Sequence, residues 1–422
     1  MKSILSICAI LSSLLMLANC RCSSAKQSAK STKSVTTRIE DCGLDLRKYK
    51  TLPIMANKTY TLKSNWDLKG ETYILPEGVT LRSKGGVFKN GTLIGNNTKT
   101  DIKKALFDKV SIMGYWVVPN ITTSMFASLD YENSLRDVLA LTHPEIMNKV
   151  VLEDGDYSVS ARSFQSALTL GSNVDLIIDG NIHLIPNDYK GCFVLQVKDA
   201  ENVNISGKGC IYGDKHTHKG KVGEWGHGIY VVSSENVTIK DINVKDCWGD
   251  CIYVGLSSKD VVIDNCKLDN GRRQGISVTY ADGVTIKNCV ITNVYGTAPQ
   301  YGIDLEPNRN CVVDNILIEN VTISNCYGGI MSYRPEDASI GSITIKGCKV
   351  TGSKTHPIHM RLSDKIVVEN CEVISSTDDC IVIESVSSLS ASGNKMTSRS
   401  RNPFVTKRVK KEDVRNHTII RK

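Results

Sequence analysis

The sequence predicts an all-β solenoid, a parallel β-helix, on three observations. One hydrophobic motif recurs through the second half of the chain, as GHGIYVV, DCIYVG, QGISVT, YGIDLE, GGIMSY, HPIHMR and DCIVIE. Its shared isoleucines are Ile229, Ile252, Ile276, Ile303, Ile330, Ile358 and Ile381, at steps of 23, 24, 27, 27, 28 and 23 residues. Periods in this range mark solenoids, in which each repeat covers the apolar face of the next. Every repeat is also strand-like, with no 3.6-residue periodicity, so the coil must be built of stacked parallel strands. Finally, 422 residues would suggest two or three domains by length alone, whereas a solenoid lengthens along one axis without dividing its core.

The elements follow in order. Residues 1–20 carry a Lys near the start and an apolar run from Ile4 to Leu17, too short to span a bilayer, and read as an export signal. Leu17-Ala18-Asn19-Cys20 resembles a lipoprotein box, with an atypical Asn before the cysteine. Two settings are therefore open: a lipid anchor on Cys20 in the outer membrane, or release into the periplasm or beyond. Residues 21–42 are Ser- and Lys-rich at first and read as a flexible linker. Residues 43–125 have the strand and Gly-turn texture of a small β domain. Within 126–145, YENSLRDVLAL has helical spacing at Leu135, Val138, Leu139 and Leu141, so a helix is expected to cap the open end of the coil, where strand edges would otherwise be exposed. Residues 146–398 form the coil, and 399–422 a basic tail best read as a solvated terminus. The Asn-Val-Thr-Ile segments at Asn236 and Asn320 read as a turn asparagine followed by a strand.

Fifteen cysteines in an exported chain would ordinarily suggest disulfides. Cys266, Cys289, Cys348 and Cys371, however, share one position of the repeat with Ile242 and Val321. Cys251 and Cys380 share another. A residue that alternates with Val and Ile is a stacked core thiol acting as a compact hydrophobe. The net charge of +8 favours a polyanionic partner. Nucleic acid is not the expected partner, because no recognition motif accompanies the charge and export removes the usual target. An acidic polysaccharide fits both charge and export, and the chain is expected to act as a monomer.

Strand alternation assigns the faces. With the shared isoleucine inward, the next residue points out: Tyr230, Tyr253, Ser277, Asp304, Met331, His359 and Val382. Two further on lie Val232, Gly255, Thr279, Glu306, Tyr333, Arg361 and Glu384. The turn before each strand holds His227, Asp250, Gln274, Tyr301, Gly328, His356 and Asp379. Rungs roughly 4.8 Å apart would make this a stripe of Tyr, Asp, Glu, His and Arg on the scale of a sugar ring. Arg272 and Arg273 offer paired N–H donors suited to a carboxylate or sulfate. The long excursion from Lys215 to His227 brings His218 and Trp225, an aromatic able to stack on a pyranose, over the same face.

The GDC-I-x-V rung and the RQGIS and GIDLEPN rungs that follow resemble the pectate-lyase-like, right-handed parallel β-helix superfamily, over roughly residues 43–395. The segment LPEGVTL–GGVFKNGTLIGNNT is similar to those preceding secreted β-helix enzymes of polysaccharide-degrading bacteria. Polygalacturonase-type hydrolases of that superfamily read NTDGxD, GDDC, GHG and RIK on successive rungs. Laid on this chain, the first aspartate becomes His227, the doublet keeps only Asp250, the histidine becomes Gln274, and the basic pair becomes Asp304 and Glu306. That pattern is broken. The resemblance to the superfamily's lyases instead implies β-elimination on a uronic-acid polymer, glycosaminoglycan first. Arg272 and Arg273 would neutralise the uronate, and His227 or Tyr253 would remove the C5 proton. Asp250 sits beside them, Arg334 would hold the leaving side, and Gln274, Tyr301, His359 and Arg361 would grip the chain. A calcium ion on Asp304 and Glu306 is an alternative neutraliser. Two rivals stand beside this: hydrolysis by Asp250 with Asp304 or Glu306, and a coil that binds glycan without cutting it.

Overall fold

The computed structural model describes residues 39–100, 104–376 and 378–421. The leader, Cys20 and nearly all of the expected linker lie outside those residues. Three parallel sheets of 13, 11 and 10 strands wrap one continuous core. In the ten-stranded sheet the shared isoleucines stack directly, from Ile229 opposite Ile252 to Ile358 opposite Ile381. All seven are fully buried. The column continues past the motif: Leu168 and Leu195 precede it and Phe404 follows. Identical side chains one rung apart pack flat on each other, and each fully buried Ile contributes about 1.5–3 kcal/mol.

The turns use asparagine for a backbone reason. Asn236 and Asn320 both have φ of 55°, a left-handed conformation that Asn tolerates better than most residues. Their amides also join neighbouring turns, as in Asn236 Nδ2 donating to Asn202 Oδ1 at 2.7 Å. The repeat-position cysteines Cys266, Cys289, Cys348 and Cys371 are buried, and all twelve described cysteines are free thiols.

Three expectations change at the ends. Seven strands, from Lys50–Thr51 to Phe107–Val117, form a parallel sheet, but buried residues such as Leu52, Leu81 and Trp116 pack in the same core as the coil, so the sheet has no core of its own. The helix expected within 126–145 is only Ser134–Leu139. Asn133 takes a left-handed φ of 63° before it, and Pro144 disfavours helical backbone at His143 after it. This short helix still lies against the first strands of two sheets, and Arg136 donates to the edge carbonyls of Ala167 and Ser160 at 2.7 and 2.9 Å. Finally, the basic segment after residue 398 is no solvated tail. Phe404–Lys407, Lys411–Arg415 and Thr418–Arg421 each add a parallel strand to one of the three sheets. Among the described residues no helix is long and apolar enough to cross a membrane.

Truncating a central rung tests the stacked core. Ile276→Ala or Ile303→Ala should cost about 2–5 kcal/mol, read as a lowered urea midpoint, whereas Cys289→Val, which conserves shape, should cost under about 1.5 kcal/mol.

Candidate functional site

The outward face of the ten-stranded sheet carries the expected columns in register, with Tyr230, Tyr253, Ser277, Asp304, Met331, His359 and Val382 opposite one another. It is far less open than alternation implies. Asp250, Gln274, Ser277 and Asp304 are each at most 1% exposed. They are engaged with one another and with Arg273, His227 and Tyr301.

Arg273 is the centre of this face. Its Nε faces Glu224 at 3.8 Å, its Nη1 faces Asp250 at 3.5 Å, and its Nη2 faces Glu306 at 3.7 Å. Three carboxylates thus surround one guanidinium. Glu224 and Glu306 both lie against this one small planar group, so the two carboxyls share the same part of the face. Burial pushes Asp250, Glu224 and Glu306 above the ordinary carboxyl range, against the pull of Arg273. Asp304 is raised furthest, by burial and by the neighbouring Glu306 charge. It accepts a hydrogen bond from Gln274 Nε2, and the nearby Glu306 charge favours its protonated form, as a like charge does. Gln274 is itself fixed by the Tyr301 N–H donating to Oε1 at 2.7 Å. Asp250 accepts from Ser277 Oγ at 2.9 Å. The members that solvent reaches are Glu306, 36% exposed, and Glu224, 23%.

Glu224 did not stand out in the sequence, and two residues expected to bind substrate explain its position. His218 stacks on Trp248 at 3.9 Å and pairs through Nδ1 with Asp214 at 2.8 Å, with its side chain 1% exposed. Arg272 lies over the other partner of that stack, 3.8 Å from the Trp248 ring, and its Nη1 donates to Gly223 O at 2.7 Å. Lys215 reaches Tyr295 O at 3.0 Å. His218 and Arg272 therefore anchor the excursion and present Glu224 to the face; neither is free to grip a sugar. This corrects their expected role.

The two candidate bases change as well. Tyr253 donates to or accepts from Thr279 Oγ1 at 2.6 Å, and burial raises its pKa, the direction opposite to that a phenolate base needs. It belongs to a stack with Tyr230 at 4.8 Å, which continues to Phe193 at 3.9 Å. His227 is 2% exposed, and its Nδ1 accepts the Asp250 N–H at 3.1 Å. Burial, aided by Arg273, lowers its pKa to about 3. An unfolded histidine titrates near 6.5, so His227 imposes no penalty above neutrality, and folding is progressively weakened as pH falls from about 6.5 toward 3. Nitrogen-detected NMR should accordingly show one neutral imidazole, Nε2-protonated, unchanged between pH 5 and 8.

Of the other expected residues, Tyr301 is buried, with burial raising its phenol to about 12, and it packs against Gly328. Trp225 sits half-buried, 5.9 Å from Phe164. His359 lies two rungs past Asp304 in the same column, lowered to about 4 by burial first and Arg361 second, while Arg361 covers the Tyr333 ring at 4.7 Å. Arg334 is a correction: its guanidinium donates to the carbonyls of Leu362, Pro335, Glu336 and Ala338, so it clamps its own loop. Asp304 and Glu306 also fail as a calcium pair. Calcium takes six to eight oxygens, whereas this pair faces an amide and a guanidinium, and among the described residues no group of three or more His, Cys, Asp or Glu is placed to hold a metal.

A family model described as "Right handed beta helix region" matches residues 187–317 and 301–421. The uncharacterized protein YclG of Bacillus subtilis (strain 168) is 35% identical over 182 residues, 36% of this chain and 31% of that protein. The chain thus matches under a third of that relative's length. Among solved structures, the A-module of the Azotobacter vinelandii mannuronan C-5 epimerase AlgE6 superposes with a TM-score of 0.50 at 13% identity, covering 69% of this chain and 99% of the module. The hyperthermoactive exopolygalacturonase of Thermotoga maritima also gives 0.50 at 13% identity, over 71% of this chain and 91% of the enzyme. At such identity these likenesses speak to the fold alone.

Proposed function

From the premise that this chain belongs to the right-handed β-helix family, we propose that it is a glycan-cleaving enzyme that hydrolyses a glycosidic bond in an anionic polysaccharide. The observation that carries this reading is the carboxyl cluster on Arg273, with two solvent-reached members, Glu306 and Glu224, on different nitrogens of one guanidinium. Hydrolysis in most families requires a carboxyl pair flanking the bond. Glu306, raised by burial, protonates the glycosidic oxygen as the C1–O bond breaks. Glu224 accepts a proton from the water whose oxygen joins C1. Arg273 holds both in place, and Asp250, too buried to touch substrate, fixes Arg273. The export signal expected at residues 1–20 would carry it to where such polymers are met, as a lipoprotein or in free form.

β-Elimination is the second reading, and one observation favours it: Tyr253, kept protonated by burial, is suited to donate to a leaving oxygen. Against it, Arg272 is committed to the loop and Arg273 is ringed by carboxylates, so an arriving uronate finds no net positive charge. Incubation with chondroitin, dermatan, hyaluronan, heparin, alginate and polygalacturonate separates the two. Hydrolysis releases reducing ends without ultraviolet absorbance; elimination adds the absorbance of a C4=C5 bond conjugated to the carboxylate. Ends from none of these polymers, nor from neutral glycans, would leave a binding coil.

A further inference from the structure

We propose a second, cationic subsite at the upstream end of the same face, which takes a carboxylate or sulfate group of the bound polymer several sugars from the bond that is cut. The proposal rests on the hydrolytic reading for the place of the cut, and on separate observations for the subsite. A cleft of about 510 Å³ opens beside the first two strands of the ten-stranded sheet, lined by Arg136, Arg162, Lys198, Gln196, Phe164 and Thr169 among others, with no carboxylate in its wall. Arg136 is held in the wall by the carbonyls of Ala167 and Ser160, which take its Nε and Nη2, so it contributes charge while Arg162 and Lys198 supply the donors. Lys198 has Asp199 at 3.9 Å, an exposed contact that water screens. Three cations in one concave wall match the demand of an anionic group for charge-assisted donors.

The aromatic edge adds a second, independent feature. Phe164 is 43% exposed and has φ of 53°, a conformation in which bulky residues are rare. The Phe164 N–H donates to Gly191 O at 2.7 Å, which fixes that strained turn, and the ring lies 5.9 Å from Trp225. Trp225, expected to stack on a sugar, finds its partner here.

Register ties the cleft to the cutting site. Thr169 and Gln196 stand in one column with Tyr230, Tyr253, Ser277 and Asp304. Gln196 and Asp304 are four rungs apart, roughly 19 Å at the strand spacing, the length of several sugar rings laid along the coil. The two places differ in character: cations line the upstream cleft, and carboxyls gather on Arg273 at the cut. The substrate this selects is a heteropolymer, with an anionic sugar at the upstream cleft and a ring bearing no carboxylate at the scissile bond.

Binding decides it, using the full chain, chondroitin sulfate and polygalacturonate as anionic probes, and dextran as a neutral one. Arg162→Ala/Lys198→Ala should weaken anionic binding at least about tenfold at low salt, since each lost charged hydrogen bond is substantial, and should flatten its salt dependence, with thermal midpoint unchanged. Wild-type affinity in that variant, or no preference of the wild type for either anionic probe over dextran, overturns the subsite. Glu306→Gln is run alongside. If no polymer is ever cut while the double variant loses anionic binding, the hydrolytic reading fails and the subsite stands. Cleavage with unaltered binding in the double variant gives the reverse.

Discussion

Glu306→Gln is expected to lower kcat by about 10²- to 10⁴-fold, the usual contribution of a positioned acid or base, with little change in affinity for the polymer. The amide is nearly isosteric, keeps contact with Arg273, and can neither give nor take the proton. Glu224→Gln should show a comparable loss, while Asp250→Asn should act through Arg273 and raise KM as well as lower kcat. Burial raises both solvent-reached carboxyls. A raised acid stays protonated to higher pH and a raised base needs higher pH to ionise, so the activity optimum lies above that of two ordinary carboxyls. In the Gln variants one limb of the bell should vanish: the alkaline limb for Glu306, the acid limb for Glu224. Loss of the opposite limbs would exchange their roles, and full activity in either variant would remove it from the mechanism.

Arg273→Met should be the most destabilising single change on this face, by about 3–5 kcal/mol at neutral pH. Its guanidinium, 17% exposed, balances Asp250, Glu224 and Glu306, and methionine would fill the space while leaving those charges unpaired. The pH dependence identifies the cause. Carboxyls whose folded pKa is raised favour the fold when protonated and lose that contribution as pH rises through the folded value. The deficit of the variant should therefore shrink as pH falls from 7 toward 4.5, opposite to the trend His227 imposes. Urea midpoints at both pH values measure this; a deficit constant with pH would mean lost packing alone.

The fold was legible because one residue type repeats where the physics repeats. Isoleucine fits the inward position of a stacked rung so well that seven copies fall in register, and cysteine in place of Val or Ile reads as packing. The coil is expected from residue 146, but the faces of the rungs at Leu168 and Leu195 went unassigned since leucine replaces isoleucine there, and with them went Arg162, Gln196 and Lys198. The outward columns were correct in direction and misjudged in exposure. Alternation says which way Asp304 points, yet its burial depends on neighbouring side chains, Gln274 and Arg273 among them, whose packing no period encodes. The same limit hid Glu224. Only the stack of His218, Trp248 and Arg272 brings it to Arg273, and those three are distant in sequence. The adjacent arginines, which looked like a carboxylate clamp, divide their work: Arg272 holds the loop, and Arg273 gathers the carboxyls.

Digestion in ¹⁸O-labelled water, followed by mass spectrometry of the fragments, tests the central claim most directly. Hydrolysis by the Glu306–Glu224 pair predicts one labelled oxygen at each new reducing end and saturated fragments throughout, both lost in Glu306→Gln. Unlabelled fragments with an unsaturated terminal ring would contradict it and assign the same face to β-elimination.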